Sequence, residues 1–155
     1  MDKTTLVCEL INRLQNVPMV GFYTREIRSG GSRVGFELIS LNGNHGLLAH
    51  VEIKSRQRVG RYGVDTAGFD LFLENLDLLN PGAKLIVIDE IGKMELFSNR
   101  FRTLLRKVLD SDKYLLASIA LHGERFIRDI KQRPDIHLIE VTRHNRADLP
   151  VSILA

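Results

Sequence analysis

The sequence predicts an α/β fold, and three observations predict it. Residues 85–88, Leu-Ile-Val-Ile, form an unbroken apolar run that ends in two adjacent carboxylates, Asp89 and Glu90. A strand buried on both faces reads this way, and it delivers its acids to the C-terminal edge of a sheet. Helical periodicities stand before and after that run, so helix and strand alternate along the chain. With 155 residues, 44% of them hydrophobic, the chain suffices for one substantial core, and a single domain over 1–155 is expected.

Composition narrows the function classes. A formal charge of +3 suits polyanionic ligands such as nucleotides but falls short of a nucleic-acid-binding signature. The one cysteine, Cys8, excludes an internal disulfide and a cysteine-built metal site, and it reads as a small core residue. The five histidines lack ligand spacing, which argues against zinc. No apolar run approaches the roughly 18 residues of a membrane span, and Met-Asp-Lys-Thr-Thr is not laid out as a signal peptide. A cytoplasmic protein without membrane partners is expected.

In chain order, Lys3-Thr4-Thr5 reads as a helix start with Thr4 or Thr5 near the cap. Val7, Leu10, Ile11 and Leu14 mark one apolar helix face, and Pro18 closes the helix. Residues 20–27 alternate as a strand, Ser29-Gly30-Gly31-Ser32 turns, and 34–41 returns as the second arm of a hairpin. That turn accounts for its glycines without a phosphate loop. Asn42-Gly43-Asn44 turns again, and 46–53 supplies a third antiparallel strand. Lys54, Arg56, Arg58 and Arg61 then fall within eight residues, the composition of a solvated loop.

Phe69, Phe72, Leu73, Leu76 and Leu79 give a second helix, ended by Asn80-Pro81-Gly82 just before the apolar run. Beyond the acids, Ser98 fits the N-cap of a helix whose face is Phe101, Leu104, Leu105, Val108 and Leu109. Residues 114–120 read as a buried strand, and a short helix carrying Phe126, Ile127 and Ile130 stops at Pro134. Residues 137–142 form the last expected strand, followed by the loop Arg143-His144-Asn145-Arg146 and a terminal helix.

The strand ending in Asp89 and Glu90 has two readings. It is a core strand finishing in two solvated acids, or it is a Walker B strand, in which the first acid holds magnesium through a bound water and the second polarises the attacking water. The flanking residues distinguish them. Asp-Glu-Ile-Gly-Lys-Met-Glu-Leu, residues 89–96, resembles the long Walker B segment of the THEP1-type nucleoside-triphosphatases, a small family of P-loop NTPases. Gly-Phe-Tyr-Thr-Arg-Glu-Ile-Arg at 21–28, followed by Gly-Phe-Glu-Leu-Ile at 35–39, is similar to the hairpin those proteins insert after their first helix. Gly60-Arg61-Tyr62-Gly63-Val64 and the Asn145-Arg146 loop also look like family segments. The order of all these segments along the chain is kept.

The resemblance implies a three-layer α/β P-loop NTPase fold of the RecA/AAA kind, with a largely parallel central sheet and an antiparallel hairpin extension. It implies hydrolysis of the β–γ bond of nucleoside triphosphates with Mg2+. Lys3 would reach the phosphates, Thr4 the metal, Thr5 the rest of the cradle, Asp89 the metal through water, Glu90 the attacking water, and Asn145 and Arg146 the base. It also implies that the basic loop approaches the nucleotide, and that 118–123 holds a residue sensing the γ-phosphate.

Lys3-Thr4 stands where a Walker A loop, G-x-x-x-x-G-K-[ST], ends, but Asp2 occupies the place of the glycine before the lysine. No counterpart of the family's first strand precedes Lys3, so the sequence as given is expected to begin inside a longer reading frame. Weak ATP binding, slow turnover and self-association at the unpaired sheet position are the expectations. Two other functions stay open: a nucleotide-binding or inactive scaffold acting through a protein partner, and a nucleic-acid-associated protein using the Arg56 to Arg61 patch, which the modest charge disfavours.

Overall fold

The computed structural model describes residues 3–142, Asn145 and Asp148. Its elements run α1 (Lys3–Arg13), β1 (Met19–Ser29), β2 (Ser32–Ser40), β3 (His45–His50), β4 (Arg58–Val59), β5 (Tyr62–Val64), α2 (Thr66–Glu74), β6 (Leu85–Ile91), a 3-10 turn (Glu95–Phe97), α3 (Asn99–Leu109), β7 (Tyr114–Ile119) and α4 (Arg125–Lys131). One seven-stranded sheet takes the order β4-β5-β3-β2-β1-β6-β7.

The expected largely parallel sheet is a mixed one. Among the described residues only β1–β6 and β6–β7 pair in parallel, while β1–β2, β2–β3, β3–β5 and β4–β5 are antiparallel. The hairpin accounts for this. β1 is long: Met19 to Phe22 pair with Leu85 to Ile88 of β6, and the strand then continues past that edge, paired only with β2. The Gly30-Gly31 turn closes the hairpin with φ of 57° and 80°, the positive values that a two-residue turn between twisted strands demands.

Helices cover both faces, giving the expected three layers. On one face, Val7 of α1 packs with Leu85 and Val87, and Leu6 and Leu10 pack with Leu116 of β7. On the other, Ile86 and Ile88 face α2 and α3 through Phe69, Leu73, Phe101, Leu105 and Val108. The apolar run thus sends alternate side chains to both layers, which is why it could be uninterrupted. Phe22 is wholly buried here, edge-on to Phe69, Phe72 and Phe101 at centroid distances of 5.8, 5.9 and 6.4 Å. Burying one such side chain stabilises the fold by about 1.5–3 kcal/mol.

Three local expectations change. Residues 137–142 form no strand: Leu138 and Ile139 are exposed, and Val141 alone of the stretch packs on the Leu6–Leu10 cluster. Alternation describes a strand's two faces, whereas a strand exists only through a ladder partner, and none is paired to this stretch among the described residues. The third strand ends at His50 rather than 53, because the chain turns there with the Ile53 amide on the His50 carbonyl. α2 ends at Glu74, and Leu76 and Leu78 are buried from the following turns instead of from a helix. The expected terminal helix lies outside the described residues.

Candidate active site

Four residues meet at the C-terminal end of β6 and the N-terminus of α1, although more than eighty positions separate the two pairs. Thr4 Oγ1 donates to Asp89 Oδ2 at 2.6 Å, and Lys3 Nζ donates to Glu90 Oε2 at 2.7 Å and to the Ile119 carbonyl at 3.1 Å. β6 supplies the acids as its apolar run ends, and α1 supplies Lys3 and Thr4 from its first turn. Packing of Val7 against Leu85 and Val87 holds that helix against that strand.

Asp89 is buried, at 2% exposure, and is well provided with donors. Besides Thr4, the Ser118 hydroxyl of β7 donates to its Oδ1 and the backbone amide of Thr24 on β1 donates as well. Desolvation raises its pKa above the ordinary value, while the hydroxyls of Ser118 and Thr4 oppose that rise. Glu90 is half-buried. Its ion pair with Lys3 leaves the two side chains 33% and 42% exposed, so the pair contributes at most about 1 kcal/mol and can exchange partners.

The oxygens of Thr4 and Asp89 are hard donors of the kind that hold magnesium. Among the described residues no group of three or more histidine, cysteine, aspartate or glutamate side chains could hold a metal ion by itself. A magnesium ion bound at Thr4 and Asp89 would therefore take its remaining ligands from phosphates and water, as this metal commonly does.

The other expected site residues fare differently. Thr5 is exposed in the first turn of α1. The Asn145 side chain is engaged within its own loop, accepting from the Thr142 amide at 2.8 Å and donating to the Glu140 carbonyl at 2.9 Å. Arg146 lies outside the described residues. The basic loop builds β4 and β5 at the sheet edge opposite β7, with β3, β2 and β1 between it and β6. Its arginines bond locally: Arg58 to the carbonyls of Ile53 and Arg61, and Arg61 to the Arg33 carbonyl. The fold does not bring this loop to the acids. A shallow cleft beside α3, lined by Leu96, Arg102 and Arg106 among others, includes none of the four meeting residues.

Two participants had no role assignable by sequence reasoning. Ser118 sits inside a stretch expected to sense phosphate, yet no pattern distinguished its hydroxyl from its neighbours. Glu95 was visible as the acid in Lys-Met-Glu, but nothing in its spacing announced that it is 4% exposed.

A family model described as NTPase matches residues 1–154. The nucleoside-triphosphatase THEP1 of Thermotoga maritima is 40% identical over 156 residues, covering 100% of this chain and 88% of that protein. The cancer-related nucleoside-triphosphatase of Homo sapiens is 37% identical over 165 residues, covering 96% and 87%. Among solved structures, the crystal structure of THEP1 from Aquifex aeolicus superposes with a TM-score of 0.88 at 33% identity, over 97% of this chain and 90% of that one. The solution structure of the human cancer-related nucleoside triphosphatase superposes with a TM-score of 0.81 at 36% identity, over 99% and 90%.

Proposed function

Because the chain belongs to the NTPase family, we propose that the meeting of Lys3, Thr4, Asp89 and Glu90 is the active site of a nucleoside-triphosphatase that cleaves the β–γ bond. The carrying observation is the double pairing of the first turn of α1 with the end of β6: lysine on glutamate and threonine on aspartate. It supplies a cation for phosphate, a hydroxyl and carboxylate for a metal, and a carboxylate for water, all at a helix N-terminus that favours anions. One domain over 1–155, located in the cytoplasm, completes the reading.

When nucleotide enters, Lys3 exchanges the Glu90 carboxylate for the β- and γ-phosphate oxygens. The weakness of the exposed ion pair permits that exchange. Glu90, released from the lysine, accepts a hydrogen bond from the attacking water and orients it toward the γ-phosphorus. Thr4 and Asp89 would hold magnesium, which would supply positive charge against the phosphates. Ser118 and the Thr24 amide hold Asp89 where that task requires it. In the sequence Asp2 stands where a Walker A loop has its glycine before the lysine, and weak binding with slow turnover is the reading that follows.

Asn145 spends its amide within its own loop. Without a polar reading of the base edge, discrimination among bases is small, so the enzyme accepts ATP, GTP, CTP and UTP. β7 has one hydrogen-bonded neighbour, β6, among the described residues, and its free edge is where self-association would occur.

Magnesium-dependent phosphate release from the four nucleotides tests these readings together. Glu90→Gln is expected to lower kcat by about 10²- to 10⁴-fold, with nucleotide affinity by titration calorimetry nearly unchanged. Parental turnover in that variant would remove Glu90 from the mechanism. A preference for one base above about a thousandfold would contradict the broad specificity.

A further inference from the structure

Glu95 is the carboxyl group that this chemistry leaves unused, and its surroundings are unusual for an acid. It opens the 3-10 turn after β6 and is 4% exposed. None of the ion pairs among the described residues includes it. The charges acting on it are those of Glu90 and Asp89, both of its own sign. Its carboxyl accepts from backbone amides, its own and that of Glu90. Burial, reinforced by those two carboxylates, pushes its pKa up to about 8, so the group is a neutral acid at neutral pH.

Gly92 supplies an independent geometric observation. A Cβ built at this residue would stand 2.7 Å from Glu90 Oε1 and 3.1 Å from Glu95 Oε1. Both carboxyl groups therefore converge on the bare Cα of Gly92, with their Oε1 atoms within about 6 Å of each other. The other Glu90 oxygen holds Lys3. Glu90 is thus fixed at its main chain by Glu95, bounded on one side of its carboxylate by the Gly92–Glu95 wall, and open on the other side to the lysine.

Resting on the reading of Glu90 as the water-orienting group, we propose that Glu95 is its positioning residue: a buried side chain that holds the Glu90 amide and backs the Glu90 carboxylate across Gly92. The physical reason is twofold. Burial beside two other carboxylates disfavours the anion, and the backbone amides that the Glu95 carboxyl accepts from offset part of that cost while tying it to the Glu90 main chain. A catalytic carboxylate displaced by 1 Å can lose about 10²-fold in rate, so a fixed backing surface matters to turnover even without touching substrate. Truncation at 95 would orphan the Glu90 amide and open space into which the Glu90 side chain could swing.

The test compares the parent chain with Glu95→Ala, Glu95→Gln and Gly92→Ala by steady-state phosphate release, thermal unfolding, and NMR of 13C-labelled glutamate carboxyls. Glu95→Ala is expected to lower kcat by about 10- to 100-fold with KM nearly unchanged, while Glu95→Gln, neutral and of the same shape, restores kcat to near the parental value. Gly92→Ala, which pushes a methyl group against both carboxyl oxygens, should lower kcat in the same way and serves if Glu95→Ala does not fold. A purely structural residue would lower Tm and leave the kcat of folded protein intact, so parental kcat in a folded Glu95→Ala or Gly92→Ala variant overturns the proposal. Turnover in Glu95→Gln as low as in Glu95→Ala overturns it too. The reading of Glu90 fails separately, by parental turnover in Glu90→Gln. Even then the Glu90 carboxyl signal decides for or against Glu95: unchanged in Glu95→Gln and displaced in Glu95→Ala supports the contact, and unchanged in both refutes it.

Discussion

Asp89 shows how much of the site is decided atom by atom. A buried carboxylate is tolerable when donors surround it, and three converge here from three elements: Thr4 of α1, Ser118 of β7 and the Thr24 amide of β1. Ser118→Ala removes a hydrogen bond to a charged group and leaves a buried oxygen short of a donor. It should destabilise the chain by about 1.5–3 kcal/mol, read as a lower urea midpoint at unchanged slope. A midpoint equal to that of the parent would mean that Ser118 does not support Asp89. Nothing in the sequence marks Ser118 out, because a hydroxyl in an apolar strand has no periodicity of its own. Asp89 and Glu90 were legible for the opposite reason, as the first polar residues after four apolar ones.

At the scale of elements, α3 shows a legible boundary and α2 a less legible one. Ser98 caps α3 as its sequence position suggests, its Oγ accepting from the Phe101 amide at 3.0 Å. Ser98→Ala should cost about 1 kcal/mol through the lost cap, observed as a fall in Tm without a change in KM; a fall in Tm accompanied by lost nucleotide affinity would show that α3 reaches the site in a way the geometry does not indicate. α2 is capped by Asp65, which accepts from the Gly68 amide at 2.9 Å, although its apolar spacing suggested a helix running on to Leu79, beyond its true end at Glu74. There, Leu76 and Leu78 reach the core from turns, and periodicity alone does not separate a turn's side chain from a helix's. The failed strand at 137–142 has the same origin, since pattern is local and pairing is not.

For the whole molecule, titration links stability to pH in two opposing ways. Glu95 binds its proton more tightly folded than unfolded, so between about 4.5 and 8 the folded state holds more protons and stability falls as pH rises. Glu26, Glu37 and Asp135 are held below the usual carboxylate range by hydrogen bonds from Arg28, Arg25 and Arg133, and their contribution is lost as pH falls through their folded values. The metal-free chain is therefore expected to lose stability both as pH falls through those lowered carboxylates and as it rises toward 8 through the raised Glu95 and Asp89. In Glu95→Gln the decline toward pH 8 should flatten, as followed by urea unfolding at a series of pH values; the same decline in both proteins would place the titrating group elsewhere.

What the sequence by itself determined is the set of features written in neighbouring residues: the apolar run and its acids, the hairpin and its turn, the cap of α3, and the family to which these segments belong. Each depends on interactions within a few positions, so order along the chain is enough to read it. Tertiary structure alone decided which side chains share a space. It took Lys3 and Thr4 to Glu90 and Asp89, brought Ser118 beneath Asp89, sealed Glu95 behind Gly92, and left the basic loop at the far edge of the sheet. Burial and charge environment are sums over residues distant in the chain, and these sums are settled only when strands take their order and helices their faces.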